Sequence, residues 1–260
     1  MVHLKTFLSA LVLLSGLILS GCASVQGPTE EHDPFESYNR AMYTFNDTVD
    51  KAVIKPVAET YKDYVPNPVQ TGVSNFFSNL GDVVTLFNDV LQGKFEQAAS
   101  DFSRIIWNTS VGLFGLFNVA SHMDLPKHDE DFGQTLAVWG VSDGPYLVLP
   151  FLGPRTLRDT GGLAIDIPTH PLSYPVIKDD KANLAALGLA FIDKRVELLT
   201  ASKVLDEAAL DPYVFMREAY LQHRLNLIYD GQPPQEKMDL KNDGDADLEL
   251  ELELDKSTTP

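Results

Sequence analysis

Apolar residues in the body of this chain recur at alternating steps of three and four, the period of an α-helix that hides one face. The first such stripe is Phe35, Tyr38, Met42, Phe45 and Val49. It follows Asp33-Pro34, a capping residue and then a proline where the missing N–H of a first helical turn costs nothing. Asn67-Pro68 repeats that start signal, and Val69, Val73, Phe76, Leu80, Val83 and Phe87 carry the period on until Gly93 breaks it. A third helix is predicted from Lys94 into the apolar residues beyond Arg104. Leu184, Leu187, Phe191 and Leu198 mark a further helix over about residues 180–201, and Asp211-Pro212 opens a last one through Met216, Tyr220 and Ile228. The predicted fold class is all-α.

Two stretches depart from that pattern. Between Ile105 and Met123 no formally charged residue occurs, and Ile105, Ile106, Trp107, Leu113, Phe114, Leu116 and Phe117 dominate. A helix in water normally keeps a charged face. The stretch approaches the roughly 20 residues that cross a bilayer, yet Asn108, Asn118, Gly112 and Gly115 weaken a simple span. The expectation is a bent or in-plane helix lying in lipid with its backbone satisfied internally; a buried core helix is the alternative. From Val138 to Asp159, Gly140, Gly144, Pro145, Pro150, Gly153 and Pro154 punctuate the apolar run Tyr146-Leu147-Val148-Leu149. Glycine and proline at that density prescribe a fixed, non-helical path, either a structural turn between two helices or a functional loop. Arg155, Arg158 and Asp159 close the stretch and can pair with one another or touch a lipid phosphate.

The two ends change the picture. Lys5, an apolar run from Phe7 through Leu19 and then Ser20-Gly21 form the layout of a bacterial export signal, so residues 1–21 are expected to be removed. Leu19-Ser20-Gly21-Cys22 matches a lipobox, with the chain's lone cysteine at the processing site. Cys22 is therefore read as a lipidated N-terminus, and residues 22–32 as its linker. Acyl chains hold a protein to a bilayer at about 0.8 kcal/mol per buried methylene, so anchoring needs no spanning helix. Ala23, in place of the Asp that retains lipoproteins in the inner membrane, points to the outer membrane, facing the periplasm. About 200 residues, 33–231, remain for a single domain. Acids crowd the stretch from Glu236 to Asp255, so residues 232–260 read as a disordered acidic tail, although the alternation from Leu248 to Leu254 also suits an edge strand on a partner.

A formal net charge of −17 argues against nucleic acid as a partner. With no second cysteine, no intramolecular disulfide can form. Catalytic signatures are missing: there is no G-x-S-x-G elbow, no H-E-x-x-H and no phosphate-cradling G-x-x-x-x-G-K-[ST]. His122 and His128 lie near Asp124, Asp129 and Asp131, a weak metal signal that loop histidines beside acids commonly produce. Neither catalysis nor a metal or cofactor is expected.

Three ordered blocks carry a resemblance. The first is Asp33-Pro34-Phe35-Glu36-Ser37-Tyr38-Asn39-Arg40-Ala41-Met42-Tyr43-Thr44-Phe45-Asn46, with Lys55-Pro56-Val57-Ala58 and Tyr64-Val65-Pro66. The second is Gly72-Val73-Ser74-Asn75-Phe76-Phe77-Ser78-Asn79-Leu80 with Leu91-Gln92-Gly93-Lys94. The third runs from Asp131-Phe132-Gly133-Gln134-Thr135-Leu136 through Trp139-Gly140-Val141 and Gly144-Pro145-Tyr146-Leu147-Val148-Leu149-Pro150 to Arg158-Asp159. Together they resemble the MlaA (VacJ) family of outer-membrane lipoproteins, less specifically after about Pro175.

The resemblance implies a ring-like, all-helical protein lying in the outer membrane around an amphipathic channel. It also implies binding to trimeric porins and passage of stray outer-leaflet phospholipids to a periplasmic lipid carrier. Asn39, Arg40, Met42, Tyr43, Phe45 and Asn46 in the first helix, and Gly140, Gly144, Pro145, Gly153 and Pro154 beyond, are then candidates for the channel wall or its gate. Asn39 and Asn46 have a second reading, as caps or ties between the helix and its neighbours. A non-catalytic lipoprotein scaffold bound to porins is the alternative function.

Overall fold

The computed structural model describes residues 33–173 and 180–234. The export signal, Cys22, its linker and the acidic stretch from 235 onward lie outside the described residues. In chain order the elements are α1 (Glu36–Val49), a π-helical turn (Asp50–Ile54), α2 (Lys55–Tyr64), α3 (Asn67–Gln92), α4 (Phe95–Ser110), a 3₁₀ turn (Ala120–Met123) and α5 (Phe132–Val138). A hairpin of β1 (Tyr146–Leu149) and β2 (Gly153–Thr156) follows, then α6 (Leu157–Thr169), a 3₁₀ turn (Pro171–Ser173), α7 (Asp180–Glu197), α8 (Leu199–Ala208) and α9 (Pro212–Ile228). The protein is predominantly helical, as its periodicity predicts.

Local chemistry sets several boundaries. Gly93 adopts φ +77°, and the N–H groups of Gly93 and Lys94 turn back to Val90 and Asp89, closing α3 and reversing the chain into α4. Asp211 caps α9 by accepting from the N–H groups of Tyr213 and Val214, with Pro212 next, as predicted. Asp33 does something else: Phe35 stands at the cap of α1, and the fully buried Asp33 carboxylate accepts from Asn39, Tyr213 and Arg217. Asn67 likewise falls inside α3 without capping it.

The uncharged stretch does not form one bent helix. α4 stops at Ser110, and the chain folds back through Leu113, Phe114 and Gly115, all left-handed at φ +52°, +59° and +94°. A Cβ on Gly112 would lie 2.2 Å from the Phe117 carbonyl oxygen, so only glycine permits this reversal. Asn108 braces it, its side-chain oxygen accepting from the Ala120 N–H and its carbonyl from Gly115. The helix predicted over 180–201 is interrupted at Leu198, between α7 and α8.

Burial runs against the pattern of a water-soluble domain. Among the described residues, buried polar and charged side chains outnumber buried apolar ones, whose only cluster is Tyr146, Val148, Tyr213 and Leu221. Large apolar side chains face outward instead: Phe95, Phe102, Ile106 and Trp107 on α4, and Val111, Leu113, Phe114, Leu116 and Phe117 in the reversal beyond it. A continuous exposed apolar surface of this kind calls for a non-aqueous neighbour. Among the described residues no helix is long and apolar enough to cross a membrane.

Ion pairs hold much of this interior together. Between α3 and α4, Asp82 accepts from Arg104 and from Lys127, and Asp101 meets the His128 ring at 2.7 Å. Asp89, fully buried on α3, receives no hydrogen bond at either carboxyl oxygen. Burial first, and then the facing Asp101, push its pKa from 3.8 up to about 8. The folded protein therefore keeps a proton that the unfolded chain releases. The resulting stability is fully present below pH 3.8 and is lost as pH rises towards about 8. Asp89→Asn, which keeps the shape of the neutral acid, is expected to flatten that decline. The variant should exceed the parent in stability at pH 8–9 by well over about 1 kcal/mol, the worth of a single pKa unit. Thermal unfolding across pH 5–9 checks this; parallel curves would mean that Asp89 is ionised in the folded state.

Candidate functional site

A cavity of about 420 Å³ opens between the hairpin and the helices around it. On one side stand Tyr43 and Asn46 of α1 with Val148, Phe151, Leu152, Gly153 and Pro154 of the hairpin. Opposite them are the π-helical turn, Phe191 and Leu198, with Met216 from α9. The walls are aliphatic and aromatic, and the rim is charged but paired. Arg195 grips Asp50 with Nε and Nη2, each at 2.7 Å. Lys51 reaches Asp47 and Lys194 reaches Glu197, both at 2.9 Å. Such a site combines an apolar interior with matched charges at its edge, a chemistry that suits an amphipathic molecule.

The hairpin's position is set by two asparagines. Asn39 Nδ2 donates to the Tyr146 carbonyl at 3.0 Å, while its Oδ1 accepts from the Val148 N–H at 2.8 Å. Asn46 repeats the pair, donating to the Leu149 carbonyl at 2.9 Å and accepting from the Phe151 N–H at 2.7 Å. Each amide does what a neighbouring strand's backbone would do, so the free edge of β1 is satisfied by a helix. The spacings agree: seven residues of helix advance about 10.5 Å, and three residues of strand advance about 10 Å. The strands pair antiparallel, from Tyr146 with Thr156 to Leu149 with Gly153.

The other residues singled out from the sequence divide between this site and its supports. Met42 and Tyr43 pack against the apolar cluster, and Phe45 meets the Phe151 ring edge-on at 5.2 Å. Arg40 lies apart from the cavity: it pairs with Glu36 at 2.6 Å and Asp211 at 2.9 Å, and its guanidinium sits 4.4 Å over the Tyr213 ring. Gly153 and Pro154 line the cavity. Gly140, Gly144 and Pro145 do not; they shape the approach to β1, where the Pro145 carbonyl accepts from the Leu157 N–H. Arg158 and Asp159 are buried and pair with each other at 3.2 Å, while Arg158 also holds Asp143 at 3.0 Å. Arg155 lies in β2, outside the cavity lining. His128 is engaged by Asp101, away from the cavity.

The sequence reading does not anticipate the supports beneath the hairpin. Arg224 on α9 donates to both oxygens of Asp131, at 2.6 and 2.9 Å, and to Asp159 at 2.9 Å. Tyr220 donates to Asp159 at 2.5 Å. Burial alone would raise Asp159, but the Arg224 guanidinium, the Tyr220 hydroxyl and Arg158 outweigh it and hold the carboxyl below its ordinary range. Asp131 also caps α5 through the Gln134 N–H, and Thr156 caps α6 through the Asp159 N–H. One guanidinium thus joins the two helices that bracket the hairpin. The signal was present as the polar series Tyr213, Arg217, Tyr220, Arg224, at steps of four, three and four.

Known proteins share this sequence and fold. A family model described as MlaA lipoprotein matches residues 31–227. The intermembrane phospholipid transport system lipoprotein MlaA of Escherichia coli (strain K12) is 38% identical over 243 residues, covering 90% of this chain and 93% of the relative. The protein of the same name from Haemophilus influenzae is 33% identical over 245 residues, covering 92% and 96%. A solved structure from work on the structural basis for maintenance of bacterial outer membrane lipid asymmetry superposes with a TM-score of 0.64 at 36% identity, covering 75% of this chain and 98% of that one.

Proposed function

This chain belongs to the MlaA lipoprotein family, and from that premise we propose that it draws misplaced phospholipids out of the outer leaflet of a bacterial outer membrane and passes them to a periplasmic lipid carrier. It acts without catalysis, anchored by lipid on Cys22, lying in the membrane beside a trimeric porin, and so preserves lipid asymmetry. The observation that carries this reading is the inverted burial: apolar side chains face outward, ion pairs and amides face inward, and an amphipathic cavity opens beside the hairpin. The relatives named as phospholipid transport lipoproteins agree with it.

The physical task is to carry a charged headgroup past hydrocarbon. An ionised group taken into a low-dielectric medium without a partner loses many kcal/mol of hydration. A polar path through the protein removes most of that barrier, and outward apolar faces let the protein sit where the lipid is. The paired rim of the cavity offers acids to an ammonium group and bases to a phosphate without leaving a bare charge when empty. The cavity and the Asn-held hairpin form part of that path.

Photo-crosslinking in cells tests the assignment. A photoreactive residue in place of Leu198, on the cavity wall, is expected to capture phospholipid, and one in place of Gln97, remote from that wall, is expected not to. Equal capture at both positions, or none at either, would leave a porin-bound scaffold as the better account.

A further inference from the structure

Every arginine in this chain but one answers a carboxylate. Arg40, Arg104, Arg158, Arg195, Arg217 and Arg224 each reach at least one acid. Arg155 reaches none: among the described residues its guanidinium makes no ion pair and no hydrogen bond, and its Nε is closed off from solvent without an acceptor. A charged donor that gives up water for no partner is costly, and the cost is recovered only when an anion completes it.

The strand register explains the isolation. Arg155 stands opposite Leu147, so it leaves β2 on the face turned away from Val148 and Pro154, which line the cavity. Asp166 on α6 is close enough to feel the Arg155 charge and too far away to pair with it. Both Asp166 oxygens accept from the Phe132 N–H, at 3.0 and 3.2 Å, and among the described residues no cationic side chain pairs with them. Burial raises this carboxyl above its ordinary range against the pull of the Phe132 bond, and the Asp131 charge adds to the rise. A base and an acid thus face each other without closing into a pair.

A molecule that carries both charges fills such a gap better than water does. Phosphoethanolamine holds an anionic phosphate and a primary ammonium two carbons apart. The planar fork of a guanidinium takes two phosphate oxygens at once, and an ammonium donates to a carboxylate. Resting on the phospholipid reading above, we propose that Arg155 and Asp166 form a headgroup station apart from the cavity, where Arg155 holds the phosphate and Asp166 the ammonium of a phosphatidylethanolamine. The same pair discriminates against phosphatidylglycerol, whose hydroxyls bring Asp166 no positive charge.

The test titrates short-chain dihexanoyl lipids, below their micelle concentration, into the full-length chain in an uncharged detergent and follows binding by calorimetry. The ethanolamine lipid is expected to bind at least about fivefold more tightly than the glycerol lipid, and Arg155→Gln to weaken both about tenfold. Asp166→Asn keeps an oxygen for the Phe132 N–H and is expected to weaken only the ethanolamine lipid, erasing the preference. The thermal midpoint of Arg155→Gln without lipid should match that of the parent, because the side chain has no protein partner to lose; a lower midpoint would mean a structural role and overturn the station. Unchanged lipid affinity in Arg155→Gln, or equal affinity of the unsubstituted chain for the two lipids, overturns it too. Inorganic phosphate that displaces the ethanolamine lipid at equal concentration would make this a site for free anions and not for lipid. Photo-capture at Leu198 without any headgroup preference refutes only the station, and selective binding without capture at Leu198 refutes only transport through the cavity.

Discussion

Replacing Arg224 with alanine is expected to cost about 3–5 kcal/mol of stability, the range for breaking a buried charge pair from one side. The Arg224 side chain is 8% exposed and Asp159 1% exposed, so neither can recover its hydration when the other is lost. Truncation leaves Asp159 with Arg158 and Tyr220 alone, and removes both bonds to Asp131. Three helices lose their common tie at once: α5, capped by Asp131; α6, carrying Asp159 and left with Tyr220 as its bond to α9; and α9 itself. Arg224→Lys should recover only part of the loss, since an ammonium cannot reproduce the planar fork that spans two carboxylates. Denaturant unfolding in detergent gives the comparison. A loss below about 1 kcal/mol for the alanine variant would mean that water reaches the site.

The second large effect comes from a hydrogen atom. Gly162 on α6 lies so close to α5 that a Cβ there would stand 2.4 Å from the Gly133 backbone nitrogen and 2.7 Å from its Cα. Backbone cannot turn aside as a side chain can, so Gly162→Ala must push the two helices apart and disturb the Asp131–Arg224–Asp159 bridge. A cost of at least about 2–3 kcal/mol is expected, the upper part of the range for overpacking. Its neighbour predicts the opposite sign. Nothing lies within 4 Å of a Cβ on Gly161. Gly161→Ala should therefore gain about 0.5–1 kcal/mol from helix propensity alone. Thermal unfolding of the two variants side by side separates close packing from conformational freedom.

Helix positions were legible because period survives whichever face is buried. Phe76, Leu80, Val83 and Phe87 mark α3 correctly, yet the same helix buries Asn79, Asp82, Thr85, Asn88 and Asp89. A reading that equates apolar with inside finds the helix and reverses its orientation. For that reason Arg217 and Arg224 went unread and Asp33 read only as a helix cap: their partners lie far away in sequence and on the polar faces. α5 and α6 escaped because α5 is only seven residues long and α6 carries Gly161-Gly162 and Pro168, which hide a helical period. The turn chemistry of Gly140 to Pro154 did foretell a fixed non-helical path. That the path is a two-stranded hairpin hung on Asn39 and Asn46 depends on partners a hundred residues away, and only the fold supplies them. The uncharged stretch was legible as an exposed apolar surface and not as a shape, because its reversal rests on close contacts at Gly112 and Gly115.

The central claim is that this chain removes phospholipid from the outer leaflet, and an outer-leaflet-specific acyl-transfer assay on growth-matched cells tests it most directly. Deletion is expected to raise outer-leaflet phospholipid, with the intact chain restoring the normal level and Cys22→Ala failing to do so. An unchanged level on deletion would contradict the account, whatever the protein binds.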